Sequence, residues 1–585
     1  MLLKHLAMAL ALFGSAGPAF GALQQADSVA PESGSAPVAQ GVAVQAEQFM
    51  ISAANPLAAR VGYDVLNRGG HAMDAMVAVQ AMLGLVEPQS SGLGGGAFLV
   101  YYDAATKTLT TFDGRETAPL NATPELFQNA QGESLKFFDA VVGGRSVGTP
   151  GTTKLMHEMH SRYGELDWSE LLAPAIELAA EGFEVSPRLA ASVAADKDRL
   201  SRYPDTARYF FHADGSPIAE GEILTNAEYS QTLTLMAQNG SDVIYKGEIG
   251  KAIVARVQSI EDNPGLLSEI DLASYQVKER PAVCVEYRQF EVCGMGPPSS
   301  GALTVGQILG VLNNFDLAQY GPEDPEAWQL IGEASRLAFA DRGRYMADSD
   351  FVPMPQGLLD SDYLAQRAAL IQPGKVMGAV SAGEPNWGKV VSVEYGLDDA
   401  IELPSTSHFS IVDGAGNIVS MTTTIENGFG SRVMSGGFLL NNELTDFSFS
   451  SYKDGQPIAN RVEPGKRPRS SMSPTILFRD GEPYMAIGSP GGSRIIGYVV
   501  NALIAHIDWG LDIQQAVELP HLVNRFGTYD LEAGTSAESL QAPLEAMGYS
   551  VNVRDLNSGL HAVQISDTKL LGAADPRREG IALGE

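Results

Sequence analysis

The stretch from Thr406 to Thr424 limits the possible folds most. Ser407 to Asp413 and Asn417 to Ile425 are two β-rich runs, joined by Asp413-Gly414-Ala415-Gly416-Asn417. Such turn residues between strand-forming runs predict a hairpin. Its symmetric centre is residue 415, so Thr406 and Thr424 lie nine residues before and after it and face each other. A bulge in the loop would move the pairing by one position. Threonines suit strands in any case, so the pairing alone does not make a site.

A second hairpin is predicted in VCVEYRQFEVCG, which holds the only cysteines, Cys284 and Cys293. If Arg288-Gln289 is a two-residue loop, the cysteines are opposite at a non-hydrogen-bonded pair, within disulfide reach. Arg-Gln is poor turn chemistry, so two unlinked thiols in neighbouring strands remain the alternative. Apolar spacing predicts helices over 56–70, 74–85, 168–180 and 326–340. The glycines from Gly92 to Gly96 lead into a strand, and no Lys-Ser/Thr follows, so they read as close packing and not as a phosphate loop. His157-Glu158-Met159-His160 lacks zinc-protease spacing and reads as an exposed helix face.

The N-terminus has Lys4, an apolar run from Leu6 to Phe13, then small residues ending Ala19-Phe20-Gly21. That order predicts a signal peptide over 1–21 and an exported, periplasmic or secreted protein, against a buried N-terminal helix. Residues 22–45 read as a flexible lead-in. With 39 Lys plus Arg against 70 Asp plus Glu, the net charge of −31 repels phosphate backbones and anionic lipid. Nucleic-acid partners are excluded on that ground. No internal apolar run has membrane-spanning length, so no membrane association is expected after signal removal.

The segments around the first hairpin carry a family likeness. Thr406-Ser407-His408-Phe409-Ser410, then Gly416-Asn417 through Thr424-Ile425-Glu426, then Phe429-Gly430, resemble the γ-glutamyltransferase family of N-terminal-nucleophile hydrolases. DAMVAVQAMLGLVEPQSSGLGGGAF, PPSSG at 297–301, KRPRSSMSPT at 466–475, GSPGGSR at 488–494 and ADPRREG at 574–580 also match, in family order. The likeness runs from about residue 46 to the C-terminus.

It implies an α+β fold, the four-layer αββα sandwich. It also implies self-cleavage between Ser405 and Thr406 into a large subunit, 46–405, and a small catalytic subunit, 406–585, which intertwine as a heterodimer. A threonine hydroxyl is a weak nucleophile, and the freed α-amine of the same residue supplies a base with a reference pKa of about 7.7–8.0. Thr424 would hold the nucleophile. Gly491 and Gly492, at a glycine turn into a helical run, would offer oxyanion donors, where the plain alternative is a helix-opening turn.

Arg115 matches the arginine that binds the donor's α-carboxylate, with an ion pair to Glu116 or another neighbour as the alternative. Ser470 and Ser471 match serines holding the same carboxylate. Glu426, Glu443 and Asp446 are the candidates for the donor's ammonium. Residues 448–467 correspond to the family's active-site lid, in which Tyr452 either covers the site or is exposed.

The implied reaction moves a γ-glutamyl group from glutathione or a related amide to water, an amino acid or a peptide, with no metal or organic cofactor. Cephalosporin (glutaryl) acylases and poly-γ-glutamate-processing enzymes share the fold and form one rival reading. An uncleaved exported γ-glutamyl-binding protein is another.

Overall fold

The computed structural model describes residues 41–398 and 400–585; the predicted signal peptide lies outside them. Two seven-stranded sheets form its centre. Their strands, numbered in chain order, are β1 (Val44–Ala46), β2 (Met50–Ala53), β3 (Gly96–Asp103), β4 (Thr108–Gly114), β5 (Lys278–Arg280), β6 (Val283–Tyr287) and β7 (Phe290–Gly294). The series continues with β8 (Ser407–Val412), β9 (Ile418–Thr424), β10 (Thr475–Arg479), β11 (Glu482–Gly488), β12 (His561–Ile565), β13 (Leu570–Ala574) and β14 (Ile581–Gly584). One sheet has the order β14-β2-β8-β9-β3-β4-β5 and the other β1-β13-β12-β11-β10-β7-β6. β1 already pairs with β13, so the second sheet takes in Val44 and Gln45 of the predicted lead-in.

Side-chain alternation along the strands generates the layers. Leu99, Tyr101, Phe409, Ile411, Val419 and Met421 face a cluster with the helix Ala72–Val86 and its neighbours. Met50, Phe98, Val100 and Ile418 point the other way, into a cluster with Leu477, Met485 and Ile487 of the second sheet. The helices Gly301–Leu312, Pro325–Tyr345 and Ile495–Ile507 join that second cluster. Helix, sheet, sheet, helix is the expected four-layer order. β8 and β9 are central to the first sheet, whereas β2, β3, β4 and β5 come from before residue 405. Both halves of the chain therefore build each sheet, and position 405 is no domain boundary.

The predicted helices are present as Pro56–Asn67, Ala72–Val86, Trp168–Glu181 and Pro325–Tyr345. Cys284 pairs directly with Cys293, and the two form a disulfide. The poor turn residues are accommodated because Arg288 takes φ +56°, and its guanidinium bonds Asp508 at 2.9 Å. The glycine run is close packing: a Cβ on Gly95 would lie 2.0 Å from the Thr424 carbonyl oxygen. The exposed reading of 157–160 is corrected. Trp168 packs on both His157 and His160, and His160 Nε2 contacts the Leu166 carbonyl at 2.8 Å, so this helix face is half-buried.

Candidate active site

Thr406 stands immediately before β8, and the hairpin has the predicted register, from Ser407 opposite Thr423 to Val412 opposite Ile418. With no bulge, the two threonine hydroxyls come within 3.5 Å. Thr424 Oγ1 accepts the Glu426 N–H at 2.8 Å and donates to the Ser405 carbonyl at 2.9 Å. A hydroxyl has one proton and two lone pairs, so Thr424 can also accept from Thr406. The carbonyl next to a candidate nucleophile is thus polarised by the hydroxyl that faces that nucleophile.

Both threonines line one small cavity, with room for about a single water. Arg115, Glu426, Glu443, Asp446, Ser470, Ser471 and Gly492 line it too. Gly491, the remaining predicted residue, immediately precedes Gly492. These two take φ +137° and +58°, conformations that favour glycine. A Cβ on Gly492 would lie 2.8 Å from the Leu403 carbonyl oxygen.

Arg115 directly follows β4 and is 1 % exposed. Its guanidinium bonds Glu443, Asp446 at 2.5 Å and the Arg469 carbonyl at 2.9 Å. Sequence had assigned Arg115 to a carboxylate and the two acids to an ammonium; here the complementary groups neutralise one another. Burial opposes the charge of Arg115, but Glu443 and Asp446 outweigh it and hold the guanidinium firmly protonated. Burial raises Glu443 and Asp446, with Arg115 opposing. Glu426 is pushed up to about 8 by burial and by Glu443. It also takes φ +76°, a strained backbone for a non-glycine residue.

Sequence reasoning missed Glu402. Its carboxylate bonds Ser471 and Arg342, and Arg469 stands 3.6 Å away. Burial would raise its pKa, yet Arg342 and Arg469 lower it to about 2. The next residue's N–H, on Leu403, donates to Glu426 at 3.1 Å. The segment before Ser405 thereby offers an anion to Ser471 and a donor to Glu426, and fills the cavity in the uncut chain. Arg342 was invisible because it lies far away on the helix Pro325–Tyr345; Arg469 adjoined the RSS motif and was the available signal. PPSSG, recognised without a role, supports the serine loop: Ser300 Oγ bonds the Ser470 carbonyl and Ser299 Oγ the Met472 carbonyl, both at 2.7 Å. Tyr452 takes the exposed alternative, 59 % exposed and away from the cavity lining.

Two sheets between helical layers, with a threonine at the head of a central strand facing an anion-and-cation cavity, define the N-terminal-nucleophile hydrolase class. Within it, the chain belongs to the gamma-glutamyltranspeptidase family, whose model matches residues 58–585. It is 37 % identical to a glutathione hydrolase proenzyme of Bacillus subtilis strain 168, over 92 % of this chain and 91 % of that one. A glutathione hydrolase proenzyme of Escherichia coli K12 is 36 % identical, over 91 % of each chain. The solved cephalosporin acylase from Bacillus halodurans superposes with a TM-score of 0.82 at 25 % identity, covering 94 % of this chain and 97 % of that one.

One consequence concerns pH. The raised Glu426 carboxyl is neutral below about pH 8 and ionised above it. If the ionised form binds a donor's ammonium in the cut protein, donor KM falls as pH rises through the Glu426 ionisation there, by as much as about tenfold per unit. Glu426→Gln is expected to flatten that limb in initial-rate profiles. Because the folded protein holds this proton where the unfolded chain has lost it, Glu426 also makes stability fall as pH rises from about 4.5 to 8. The Gln variant's Tm should fall less across that window.

Proposed function

We propose that the protein is a proenzyme that cuts itself between Ser405 and Thr406 and then transfers γ-glutamyl groups from glutathione or related amides to water, amino acids or peptides. One observation carries the reading: Thr424 bonds the Ser405 carbonyl while lying within reach of the Thr406 hydroxyl. Thr406 Oγ attacks the Ser405 carbonyl carbon, the C–N bond breaks, and the α-nitrogen leaves as an amine. Water then hydrolyses the Ser405 ester. The freed amine takes the Thr406 hydroxyl proton as Oγ attacks a donor's γ-carbonyl; the amide C–N bond breaks, the donor's amine leaves with that proton, and the γ-glutamyl ester on Thr406 Oγ then passes to water or an acceptor amine. Gly491 and Gly492 supply oxyanion donors.

Once residues 402–405 leave, the donor's α-carboxylate takes Arg115, Ser470 and Ser471, and its ammonium takes Glu426, Glu443 and Asp446. The large and small subunits stay together because their strands share both sheets. Export accords with the N-terminal sequence and the disulfide. Among the described residues no helix is long and apolar enough to cross a membrane.

The buried acids favour a donor bearing an ammonium over a glutaryl amide, which lacks one. At equal concentration, γ-glutamyl-p-nitroanilide is expected to turn over at least about 100-fold faster than glutaryl-p-nitroanilide, the scale of an unpaired buried charge. Equal or reversed rates would favour the acylase reading. Binding of γ-glutamyl compounds by an uncut chain without product release would favour the binding-protein reading.

A further inference from the structure

We propose that Arg578 is a positioning residue that ties Thr406 to the oxyanion turn; the inference rests on the functional reading above. Arg578 lies between β13 and β14, at the far C-terminal end of the chain, and is 3 % exposed. Its guanidinium donates to the Thr406 carbonyl at 2.9 Å. This carbonyl is downstream of the Ser405–Thr406 bond, so the contact is independent of cleavage. Fixing it restricts Thr406 ψ, and with it the direction of the α-nitrogen and the hydroxyl.

The same side chain reaches the other half of the site. A Cβ on Gly559 would lie 2.8 Å from Arg578 Cδ and 2.7 Å from Pro490 Cγ. The bare α-carbon of Gly559 therefore lets the Arg578 stem and the Pro490 ring close on it together. Pro490 immediately precedes Gly491 and Gly492. The loop carrying Arg578 is itself pinned: Asp575 accepts the Arg577 N–H at 2.9 Å and the Leu560 N–H at 3.2 Å. Arg577 in turn bonds Glu532 at 2.6 and 2.8 Å. Arg578 thus acts from a preset base.

Its charge has a readable effect on the freed amine. Next to Thr406, the Ser407 hydroxyl donates to Glu87 at 3.0 Å; Glu87 pairs with Arg188 at 3.2 Å and feels Arg578 and Glu579, which accepts the Arg188 backbone N–H at 2.8 Å. His561, also buried there, is held neutral by burial. In front are Arg115 with Glu426, Glu443 and Asp446, and Glu402 in the uncut chain. In the group beside Ser407 two acids, Glu87 and Glu579, stand with two arginines, Arg188 and Arg578. Removing Arg578 leaves that group with excess negative charge and favours a protonated, non-basic amine.

The test compares wild type, Arg578→Lys and Arg578→Met for release of the Thr406 N-terminus and for the pH profile of γ-glutamyl-p-nitroanilide hydrolysis. Met is expected to lower kcat about 10- to 100-fold, with KM within about threefold of wild type, and to move the acid limb of kcat/KM up by about one pH unit. Lys keeps the charge, so its limb should stay at the wild-type pH while kcat remains reduced. If Met is not cleaved, cleavage by Lys with an unmoved limb still supports the proposal. A Met variant with wild-type kcat and limb overturns it. Lys and Met variants that fail equally would also overturn it, as loss of packing alone. An inactive, uncut wild type would instead refute the functional reading.

Discussion

Thr406→Ala is expected to remain one uncut chain, and wild type is expected to release a fragment that begins at Thr406. Intact mass and N-terminal sequencing read this directly. The same variant should lose turnover of γ-glutamyl-p-nitroanilide by at least about 10⁴-fold, since it lacks the attacking oxygen and never frees the amine. Thr406→Ser, which keeps a hydroxyl, should cleave slowly and recover part of the activity. Thr424→Ala tests the partner: it removes the 2.9 Å bond to the Ser405 carbonyl and is expected to slow cleavage about 10²- to 10³-fold, the cost of losing one such donor. If Thr406→Ala were cut at the wild-type rate, the hydroxyl would not be the attacking group. If wild type stayed whole on long incubation, the α-nitrogen would remain an amide without basicity, and the binding-protein reading would gain.

The parts of this site legible in sequence were those set by local periodicity. Symmetry about residue 415 gave the threonine pair because a hairpin without a bulge has only one register. The same reasoning brought Cys284 to Cys293. Arg115, Ser470, Ser471, Gly491 and Gly492 needed family likeness, because Arg115 lies far from Thr406 along the chain and nothing local announces that they meet. Glu402 and Arg342 escaped both routes, and Arg578 lay within ADPRREG, which the likeness matched without assigning the residue a role. Glu402 looks like any acid in a chain of 70 Asp and Glu, and only the fold places it against Ser471. Residues 157–160 failed differently: their polar composition suggested exposure, but the Trp168 ring covers them. Polarity reports what a side chain can tolerate, not what another element brings over it.

Arg115→Gln is expected to lower kcat/KM for γ-glutamyl donors about 30- to 3,000-fold, the range for truncating one partner of a buried charge pair. Two costs combine in this number. The donor loses a planar fork suited to its α-carboxylate, and Glu443 and Asp446 lose the cation that they share when no donor is bound. The second cost also appears without substrate. Two buried carboxylates left together tend to take up protons, so the variant should be least stable at alkaline pH, where that proton must be surrendered. Thermal melts at pH 6 and pH 9 separate this loss from the loss of recognition. Arg115→Lys keeps a cation near the acids and is expected to recover most of the stability but little of the donor affinity, because an ammonium cannot reproduce the fork. Cleavage at Thr406 should survive in the Lys variant, since the scissile carbonyl is held by Thr424 and not by Arg115. If Arg115→Gln kept wild-type kcat/KM, the carboxylate would bind elsewhere, and the Ser471–Arg342 pair now occupied by Glu402 would be the site to mutate next.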